Sequence, residues 1–274
     1  MKVGDLMIKK AKKVLITGAG SGLGKEAAIA LAHRGHMVYA TTHYDAEVEF
    51  LNNYAKENKL NMKAFKLDIL LEDDRKKILD YDIDTLIANA SIGDSGSVIE
   101  VSMDRIKNCF ETNVFATIEL SQIFMKKLIK NQIEGRIIFI SSLWGRISMP
   151  FLSPYCATKF AIEAFAESLR TELSQLPNNK IQVSLIEPGL YATGFNKINT
   201  EKKYEWMEDK SFFKENFEKI KENDIKALEL FELKTYESII EKYVKAVEDK
   251  KMKFRYTSPI KQAVMFQVAR IFGV

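Results

Sequence analysis

The residues with the clearest chemical potential are Tyr155 and Lys159, which stand four positions apart in the stretch YCATK. On a helix, two such positions lie on the same face, one turn apart. A nearby cation favours phenolate, so an adjacent ammonium is expected to lower the pKa of the tyrosine from its reference value of about 10. A shift to neutrality needs about 4 kcal/mol, which a close and partly desolvated cation can supply. The pair is therefore a candidate general acid or base, and the alternative is an ordinary exposed helix pair.

Ser142 is the second candidate, because it follows the apolar run of residues 136–140, which is typical of a buried parallel strand. Ligands of open parallel sheets bind beyond the carboxyl ends of the strands. Ser142 is therefore predicted to face the same crevice as Tyr155, across a loop of residues 143–154 that is rich in apolar side chains. The predicted substrate contacts in this crevice are Ser142, Trp144, Phe151, Tyr155 and Tyr191.

A glycine-rich turn, TGAGSGLG at residues 17–24, stands between an apolar strand pattern and a helical stretch. This order is the context that a phosphate-binding loop requires. Gly18 permits the tight turn, Gly22 lets backbone approach a pyrophosphate, and Gly24 allows the helix to pack closely on the strand. The helix N-terminal amides then face the anion, so the turn predicts a dinucleotide site.

The form of the dinucleotide is expected to depend on Thr42 and His43, at the end of the second predicted strand. An acidic residue here would accept a hydrogen bond from the ribose hydroxyls and would repel a 2′-phosphate. Thr42 does neither, and His43 could donate to a phosphate, although less securely than an arginine. Asp45 lies close enough to keep the opposite preference open. The sequence therefore favours NADP(H) over NAD(H).

Two other polar residues allow a functional and a structural interpretation. Asp68, at the end of the third predicted strand, could bond the adenine amino group or cap the helical stretch at 72–79. Asn113 lies inside a helical period at 103–130, where an asparagine is usually only tolerated. The residues alone leave both alternatives open.

Composition limits the class of protein. The chain has 274 residues, 46% hydrophobic and 28% charged, which is ordinary for a soluble globular protein. Its 41 basic and 37 acidic residues give a formal charge of +4, which does not favour nucleic acid as a partner. Two separated cysteines and three unclustered histidines predict neither a disulfide framework nor a metal site, and they fit a reducing cytoplasm. No signal peptide is expected in residues 1–13, and no apolar run is long enough to span a membrane.

Six short apolar strands alternating with helices predict a Rossmann-type, doubly wound parallel β-sheet of the α/β class, with helices on both faces. No repeat or low-complexity linker interrupts the chain, so residues 1–274 are expected to form one domain. Residues 195–235 are predicted to be a helical insertion whose aromatics either cover a hydrophobic substrate or pack on the body. Residues 258–274 are predicted to be a docked C-terminal helix, with a dimer or membrane-surface contact as the alternative.

Together these motifs resemble the short-chain dehydrogenase/reductase family, in its single-domain form, up to about residue 193. The resemblance implies that Tyr155 is the general acid or base, that Lys159 lowers its pKa and holds the nicotinamide ribose, that Ser142 bonds the substrate oxygen, and that Asn113 fixes a water in a proton relay. It implies a homo-oligomer, either a dimer or a tetramer. The cofactor-binding residues that it implies are Gly18, Ser21, Gly22, Leu23, Gly24, Thr42, His43, Asp68, Ile69, Asn89, Ala90, Ser91, Tyr155, Lys159, Pro188, Gly189 and Thr193.

The chain departs from the family pattern at Ser91, where the family usually has glycine, and a local adjustment around the cofactor is expected there. The helical extension is loosely similar to members that act on steroids and retinoids. The expected function is therefore an NAD(P)(H)-dependent interconversion of a ketone or aldehyde and an alcohol, with a bulky hydrophobic substrate. The alternatives are a 3-oxoacyl thioester reductase, which shares every catalytic residue, and a non-enzymatic dinucleotide-sensing protein.

Overall fold

The computed structural model describes residues 11–207 and 211–273, and it contains a seven-stranded parallel sheet. Most of residues 1–13, residues 208–210 of the predicted insertion and residue 274 lie outside the described residues. The strands, in chain order, are β1 (Lys13–Ile16), β2 (Met37–Thr42), β3 (Met62–Lys66), β4 (Thr85–Ala88), β5 (Gly135–Ile140), β6 (Ile181–Pro188) and β7 (Arg255–Ser258).

The strand order across the sheet is β3-β2-β1-β4-β5-β6-β7, and every described pairing is parallel. The chain leaves β1 toward β2 on one side and returns to β4 on the other. This reversal opens a crevice outside the carboxyl ends of β1 and β4, the place where doubly wound sheets bind ligands. The predicted fold class is confirmed, with one strand more than the sequence indicated.

Ten α-helices connect or follow these strands in the described parts of the chain. They are α1 (Gly22–His33), α2 (Asp45–Glu57), α3 (Glu72–Lys76), α4 (Met103–Phe110), α5 (Thr117–Lys130), α6 (Ser153–Ser174), α7 (Phe195–Met207), α8 (Phe217–Phe231), α9 (Glu237–Glu248) and α10 (Ile260–Phe272). A π-helical segment, Glu111–Ala116, joins α4 to α5. The helical period at 103–130 is therefore not one regular α-helix, contrary to the simplest interpretation of the sequence.

Both faces of the sheet are covered because successive strand residues point to opposite sides. In β1, Val14 and Ile16 join the core beneath α1, α2 and α9, while Leu15 joins the core beneath α5 and α6. All three side chains are fully buried. The sheet is thus a rigid platform whose carboxyl edge can hold side chains in fixed positions.

The last elements complete this platform. Strand β7 pairs with β6, and α10 docks on the body through Gln262, which accepts a hydrogen bond from the backbone of Leu190 and donates one to the carbonyl of Phe231. The outer face of α10 exposes Ile260, Val264 and Ile271. No helix in the described parts of the chain combines the length and apolar character that crossing a membrane requires.

Candidate active site

A cavity of about 680 Å³ lies beyond the carboxyl ends of the strands. The glycine-rich turn forms one end of the cavity, and Ser142, Tyr155 and Lys159 line the other. Residues far apart in sequence meet here because parallel strands all deliver their carboxyl ends to the same edge.

The glycine-rich turn is tightly packed against the end of β4. Gly18 and Gly22 have φ of +64° and +53°, in the left-handed region that favours glycine. A Cβ on Gly18 would lie 2.8 Å from the Cα of Ala90, and one on Gly24 would lie 2.4 Å from the carbonyl oxygen of Gly18. The turn therefore needs glycine for conformation and for space, as the motif predicts.

Asn89 holds this turn in place. Its Nδ2 donates to the carbonyl oxygens of Thr17 and Gly18, at 2.8 and 3.2 Å. Its Oδ1 accepts a hydrogen bond of 3.0 Å from the hydroxyl of Tyr243, a buried residue of α9 that lines the cavity. Tyr243 was missed by sequence reasoning, because no local pattern marks a helix residue that meets a loop 154 positions earlier.

Ser142 lies at the exit of β5, at the centre of a small hydrogen-bond network. Its Oγ accepts from the amide of Trp144 at 3.2 Å and lies 3.3 Å from the carbonyl oxygen of Pro188. It also forms a hydrogen bond with the phenol of Tyr155. The hydroxyl of Ser142 has one proton, so it donates a hydrogen bond to either Pro188 or Tyr155 at any one time. The same proton can instead be donated in a hydrogen bond to an oxygen bound in the cavity.

The electrostatics of Tyr155 and Lys159 differ from the prediction. Burial raises the pKa of the Tyr155 phenol above its usual range, and the hydrogen bond with Ser142 only partly opposes this. The Nζ of Lys159 lies 5.4 Å from the centroid of the Tyr155 ring and donates to the carbonyl oxygen of Ile140 at 2.9 Å. Burial lowers the pKa of Lys159 itself to about 8. Desolvation therefore dominates the pKa of Tyr155, contrary to the expected lowering by the cation.

Asn113 lies in the π-helical segment with its side chain fully engaged. Its Oδ1 accepts from the amide of Ile92 and its Nδ2 donates to the carbonyl of the same residue, both at 2.8 Å. The Nδ2 also lies 3.1 Å from the Oγ1 of Thr158, which is next to Lys159 in α6. The side chain therefore joins the loop after β4 to the helix that carries the predicted catalytic pair.

At the predicted adenosine end of the cavity, some polar side chains are already bonded within the protein and others are exposed. The hydroxyl of Thr42 is buried and donates to the carbonyl oxygen of Tyr44 at 3.0 Å. His43 is exposed, with its Nδ1 3.7 Å from the Oδ2 of Asp68. Asp68 accepts from the amide of Leu70 at 2.9 Å, so it stabilises the turn before α3 rather than capping that helix. Glu47 of α2, which sequence reasoning did not select, also lines this end.

The remaining predicted cofactor residues lie on the cavity wall. Ser91 carries a buried Oγ with no hydrogen-bond partner among the described residues, next to Ala90 on the exit of β4. The side chain of Thr193 lies close to Gly22, where an added Cβ would be 3.6 Å from the Cβ of Thr193. The other predicted residues on the wall are Ser21, Leu23, Ile69, Pro188 and Gly189.

The apolar wall only partly matches the predicted substrate contacts. Trp144 lines the cavity and packs on Phe266 of α10, with ring centroids 4.7 Å apart. Tyr191 also lines it, but its hydroxyl is bonded to Ser258 at 2.9 Å, so the side chain belongs largely to the core. Phe151 does not reach the cavity wall.

Phe151 instead packs edge-on against Phe213, at 5.1 Å between centroids, in a cluster with Tyr204 and Phe217. Membership of the apolar loop therefore does not by itself place a side chain on the cavity wall. An aromatic residue that does line the cavity is Phe195 at the start of α7, whose ring centroid lies 5.7 Å from that of Tyr155.

Helix α7 is fastened to the loop that follows β4. The hydroxyl of Ser95 donates to the carbonyl oxygen of Asn199 at 2.6 Å. A Cβ on Gly96 would lie 2.0 Å from the ring of Trp206, so the indole rests directly on that glycine. The loop and the helix therefore form one side of the cavity together. Within residues 11–207 and 211–273, no group of His, Cys, Asp or Glu side chains could hold a metal ion.

The family model of short chain dehydrogenases matches residues 12–204. The chain belongs to this family. Among curated relatives, this short-chain dehydrogenase is 35% identical over 190 residues to a probable short-chain type dehydrogenase/reductase of Helicobacter pylori, covering 67% of this chain and 66% of the relative. It is 33% identical over 196 residues to human retinol dehydrogenase 8, covering 69% of this chain and 62% of the relative. The matches thus span less than two thirds of these relatives' own length.

Solved structures share the fold. A short chain dehydrogenase/reductase of Burkholderia phymatum in complex with NAD has a TM-score of 0.80 at 17% identity, over 97% of this chain and 95% of that one. A gluconate 5-dehydrogenase of Burkholderia cenocepacia in complex with NADP and tartrate has a TM-score of 0.64 at 21% identity, over 70% of this chain and 76% of that one. Both of these structures contain a nicotinamide dinucleotide.

Proposed function

We propose that this short-chain dehydrogenase interconverts a bulky, hydrophobic ketone or aldehyde and its alcohol, with Tyr155 as the general acid or base. The observation that carries the proposal is the single cavity that joins the glycine-rich turn to Ser142, Tyr155 and Lys159. A phosphate cradle and a proton donor in one cavity are the two requirements of hydride transfer to a carbonyl.

The residues present fit a nicotinamide dinucleotide. Gly18 and Gly22 line the cavity in a left-handed conformation that other residues rarely adopt, and the buried hydroxyl of Ser91 is free to bond a ligand. Asn89, Lys159 and Thr193 are the side chains proposed to hold the dinucleotide, with Pro188 and Gly189 bordering its nicotinamide end. When bound, the dinucleotide supplies or accepts the hydride.

The protein's own part is to position the substrate and move a proton. Ser142 and Tyr155 both line the cavity and their hydroxyls are hydrogen-bonded to each other, so a carbonyl oxygen that approached both hydroxyls would receive two hydrogen bonds. Tyr155 is proposed to give its proton to that oxygen in reduction and to take it back in oxidation. Lys159 is proposed to favour the developing phenolate, because its ammonium lies beside the ring.

The substrate class follows from the wall around this point. Trp144, Phe195 and Ile198 supply apolar surface, and α7 closes that side of the cavity. Similarity to a retinol dehydrogenase supports a lipophilic alcohol. We therefore propose that residues 195–235 cover the substrate and that the whole chain acts as one domain.

The form of the dinucleotide is less simply assigned. The preference for NADP(H) depends on His43 as a phosphate donor. That imidazole lies 3.7 Å from the carboxylate of Asp68, and Glu47 adds a second carboxylate to the same end of the cavity. Two carboxylates at this end of the cavity therefore oppose the binding of a 2′-phosphate and the predicted preference for NADP(H). Assembly into a dimer or tetramer and a cytoplasmic location stay predictions.

Replacement of Tyr155 by phenylalanine tests the proposal. We expect Tyr155→Phe to reduce hydride transfer by at least about a thousandfold, because the ring stays and the proton donor is lost. The measurement is turnover on a panel of lipophilic ketones and aldehydes, together with fluorescence titration of the reduced dinucleotide, whose binding should persist. Tyr81→Phe, at the opposite edge of the sheet, is the matched control and should retain full activity. Near-normal turnover of Tyr155→Phe would refute the assigned role.

The same panel separates the alternatives. A 3-oxoacyl thioester reductase would prefer acetoacetyl thioesters to bulky free ketones. A dinucleotide-sensing protein would bind the dinucleotide and turn over nothing in the panel. Either result would replace the proposed substrate class or the proposed activity, respectively.

A further inference from the structure

The carboxylate of Glu47 lies directly against the glycine-rich turn. Glu47 stands in the first turn of α2 and lines the cavity near the glycine-rich turn. A Cβ on Gly20 would lie 1.9 Å from its Oε2, 2.1 Å from its Cδ and 2.5 Å from its Oε1. The carboxylate therefore rests directly on the backbone of the turn at Gly20.

The space for this carboxylate is provided by the absence of a side chain at Gly20. Unlike Gly18 and Gly22, Gly20 is not in the left-handed region, so its backbone conformation is open to any residue. What a side chain there would meet first is the end of Glu47. The glycine and the carboxylate thus form one local arrangement.

The charge balance of the cavity gives this arrangement a consequence. Among the described residues that line the cavity, the charged or titratable acids and bases other than tyrosine are His43, Glu47, Asp68 and Lys159. Lys159 belongs to the opposite end, where it bonds the carbonyl oxygen of Ile140. The end formed by the glycine-rich turn therefore has two carboxylates and one imidazole.

Lysines near this end are directed elsewhere. Lys66 pairs with Asp45 at 3.0 Å, and the ammonium of Lys25 lies 5.5 Å from the centroid of the Phe50 ring. Neither lysine lines the cavity. A phosphate bound there would meet carboxylates without an opposing lysine or arginine on the wall.

We infer that Glu47 makes this chain select NAD(H) against NADP(H), an inference that depends on the proposed function. A carboxylate at this end accepts hydrogen bonds from ribose hydroxyls, whereas it repels a 2′-phosphate. At the end of β2, where the sequence predicts the selecting residue, the hydroxyl of Thr42 is already bonded to Tyr44. The selecting charge comes instead from the helix that follows. This reverses the preference that His43 suggested.

The test is a binding experiment that needs no substrate. NADH and NADPH are titrated by fluorescence, and NAD⁺ and NADP⁺ by calorimetry, against the full chain and two variants. The wild type should bind NADH at least about tenfold more tightly than NADPH at low ionic strength, and salt should reduce the ratio. Glu47→Gln keeps the size of the side chain and removes its charge, so the ratio should fall by about tenfold, mainly through tighter NADPH binding. Glu49→Gln, on the exposed side of the same helix, is the matched control and should leave the ratio unchanged.

A third variant tests the position of the Glu47 carboxylate without changing Glu47 itself. Gly20→Ala should displace the Glu47 carboxylate and shift the ratio in the same direction as Glu47→Gln, and the two changes combined should add little to either alone. Tighter binding of NADPH by the wild type, or an unchanged ratio in Glu47→Gln, would overturn the inference while leaving the proposed function intact. Failure of the wild type to bind any of the four dinucleotides would overturn the proposed function as well.

Discussion

At the scale of single residues, the buried ammonium of Lys159, proposed to assist Tyr155, reduces the stability of the fold. Lys159 is 3% exposed and its ammonium has one described hydrogen-bond acceptor, the carbonyl oxygen of Ile140. Desolvation of the charge explains why its pKa falls from 10.5 to about 8. A charged group that is better solvated in the unfolded chain than in the folded protein lowers the free energy of unfolding.

This reasoning predicts that Lys159→Met is more stable than the wild type at pH 7, by about 2 kcal/mol, and inactive. Because the folded pKa of Lys159 lies below the unfolded one, the destabilisation is fully present below pH 8 and disappears as the pH rises toward 10.5. The gain of the variant should therefore shrink between pH 7 and pH 10. Urea unfolding at both pH values measures it.

Lys126→Met, an exposed position on α5, serves as the control, and its effect on the free energy of unfolding should be the same at both pH values. A Lys159→Met variant that is less stable than the wild type at pH 7 would contradict the account of the buried charge.

At the scale of elements, the π-helical segment Glu111–Ala116 carries Asn113, whose side chain links the loop after β4 to α6. The wider turn lets the amide of Asn113 make two hydrogen bonds to the backbone of Ile92 and approach Thr158. The residue is polar inside a helix because its amide supplies the hydrogen-bond partners of the partly buried backbone after β4. It positions the loop and the helix of Lys159 relative to each other.

Asn113→Ala should therefore lower the free energy of unfolding by about 2–4 kcal/mol, since it leaves the buried backbone groups of Ile92 without partners. It should also speed hydrogen exchange at the Ile92 amide. Chemical unfolding and amide exchange are the measurements. Asn131→Ala, which removes an exposed bond to the carbonyl of Lys127, should cost less than about 1 kcal/mol and leave Ile92 unaffected. Equal losses in the two variants would argue against a special role for Asn113.

The sequence predicted those elements whose signals are local. Apolar runs and the glycine motif located β1 to β6 and the turn, because a buried strand and a left-handed glycine leave their mark in adjacent residues. Strand β7 was missed because RYTS is short, half-exposed and surrounded by lysines, and only its pairing with β6 makes it a strand. The π-helical segment was missed for the same kind of reason, since its Asn113 is bonded to Ile92, which lies 21 positions earlier in the chain.

The candidate site divides in the same way. Ser142, Tyr155 and Lys159 were found because strand ends and helix faces can be inferred from spacing, and the structure brings them together in one cavity. The pKa of Tyr155 was misjudged because burial cannot be read from spacing. The packing of Phe151 against Phe213 and the position of Glu47 on the cavity wall were not foreseen, because both depend on the path of a loop or a helix through space.

At the scale of the whole molecule, the C-terminal elements reach back to the cofactor loop. The family match ends at residue 204, yet Tyr243 of α9 bonds Asn89, which in turn holds the turn at Thr17 and Gly18. The nucleotide end of the cavity therefore depends on a helix outside the matched region.

Tyr243→Phe should weaken dinucleotide binding by about threefold to tenfold, because Asn89 loses the donor that fixes its orientation. The rate of hydride transfer at saturating dinucleotide should change little. Tyr256→Phe is the matched control. It removes a hydroxyl that donates to the Oδ2 of Asp249 at 2.8 Å, and Tyr256 does not line the cavity. Titration of the reduced dinucleotide compares the two variants, and equal affinities would show that the Tyr243 hydroxyl has no influence on the loop.

The bond between Tyr243 and Asn89 also has a consequence for how the protein is made. The two partners are separated by 154 residues, and a ribosome adds residues at about 5–20 per second, so Tyr243 is synthesised about 8–30 s after Asn89. A nascent chain that has reached only β6 has its glycine-rich turn but lacks the hydroxyl that orients Asn89. The glycine-rich turn is therefore synthesised well before the helix that completes the hydrogen bonds around it.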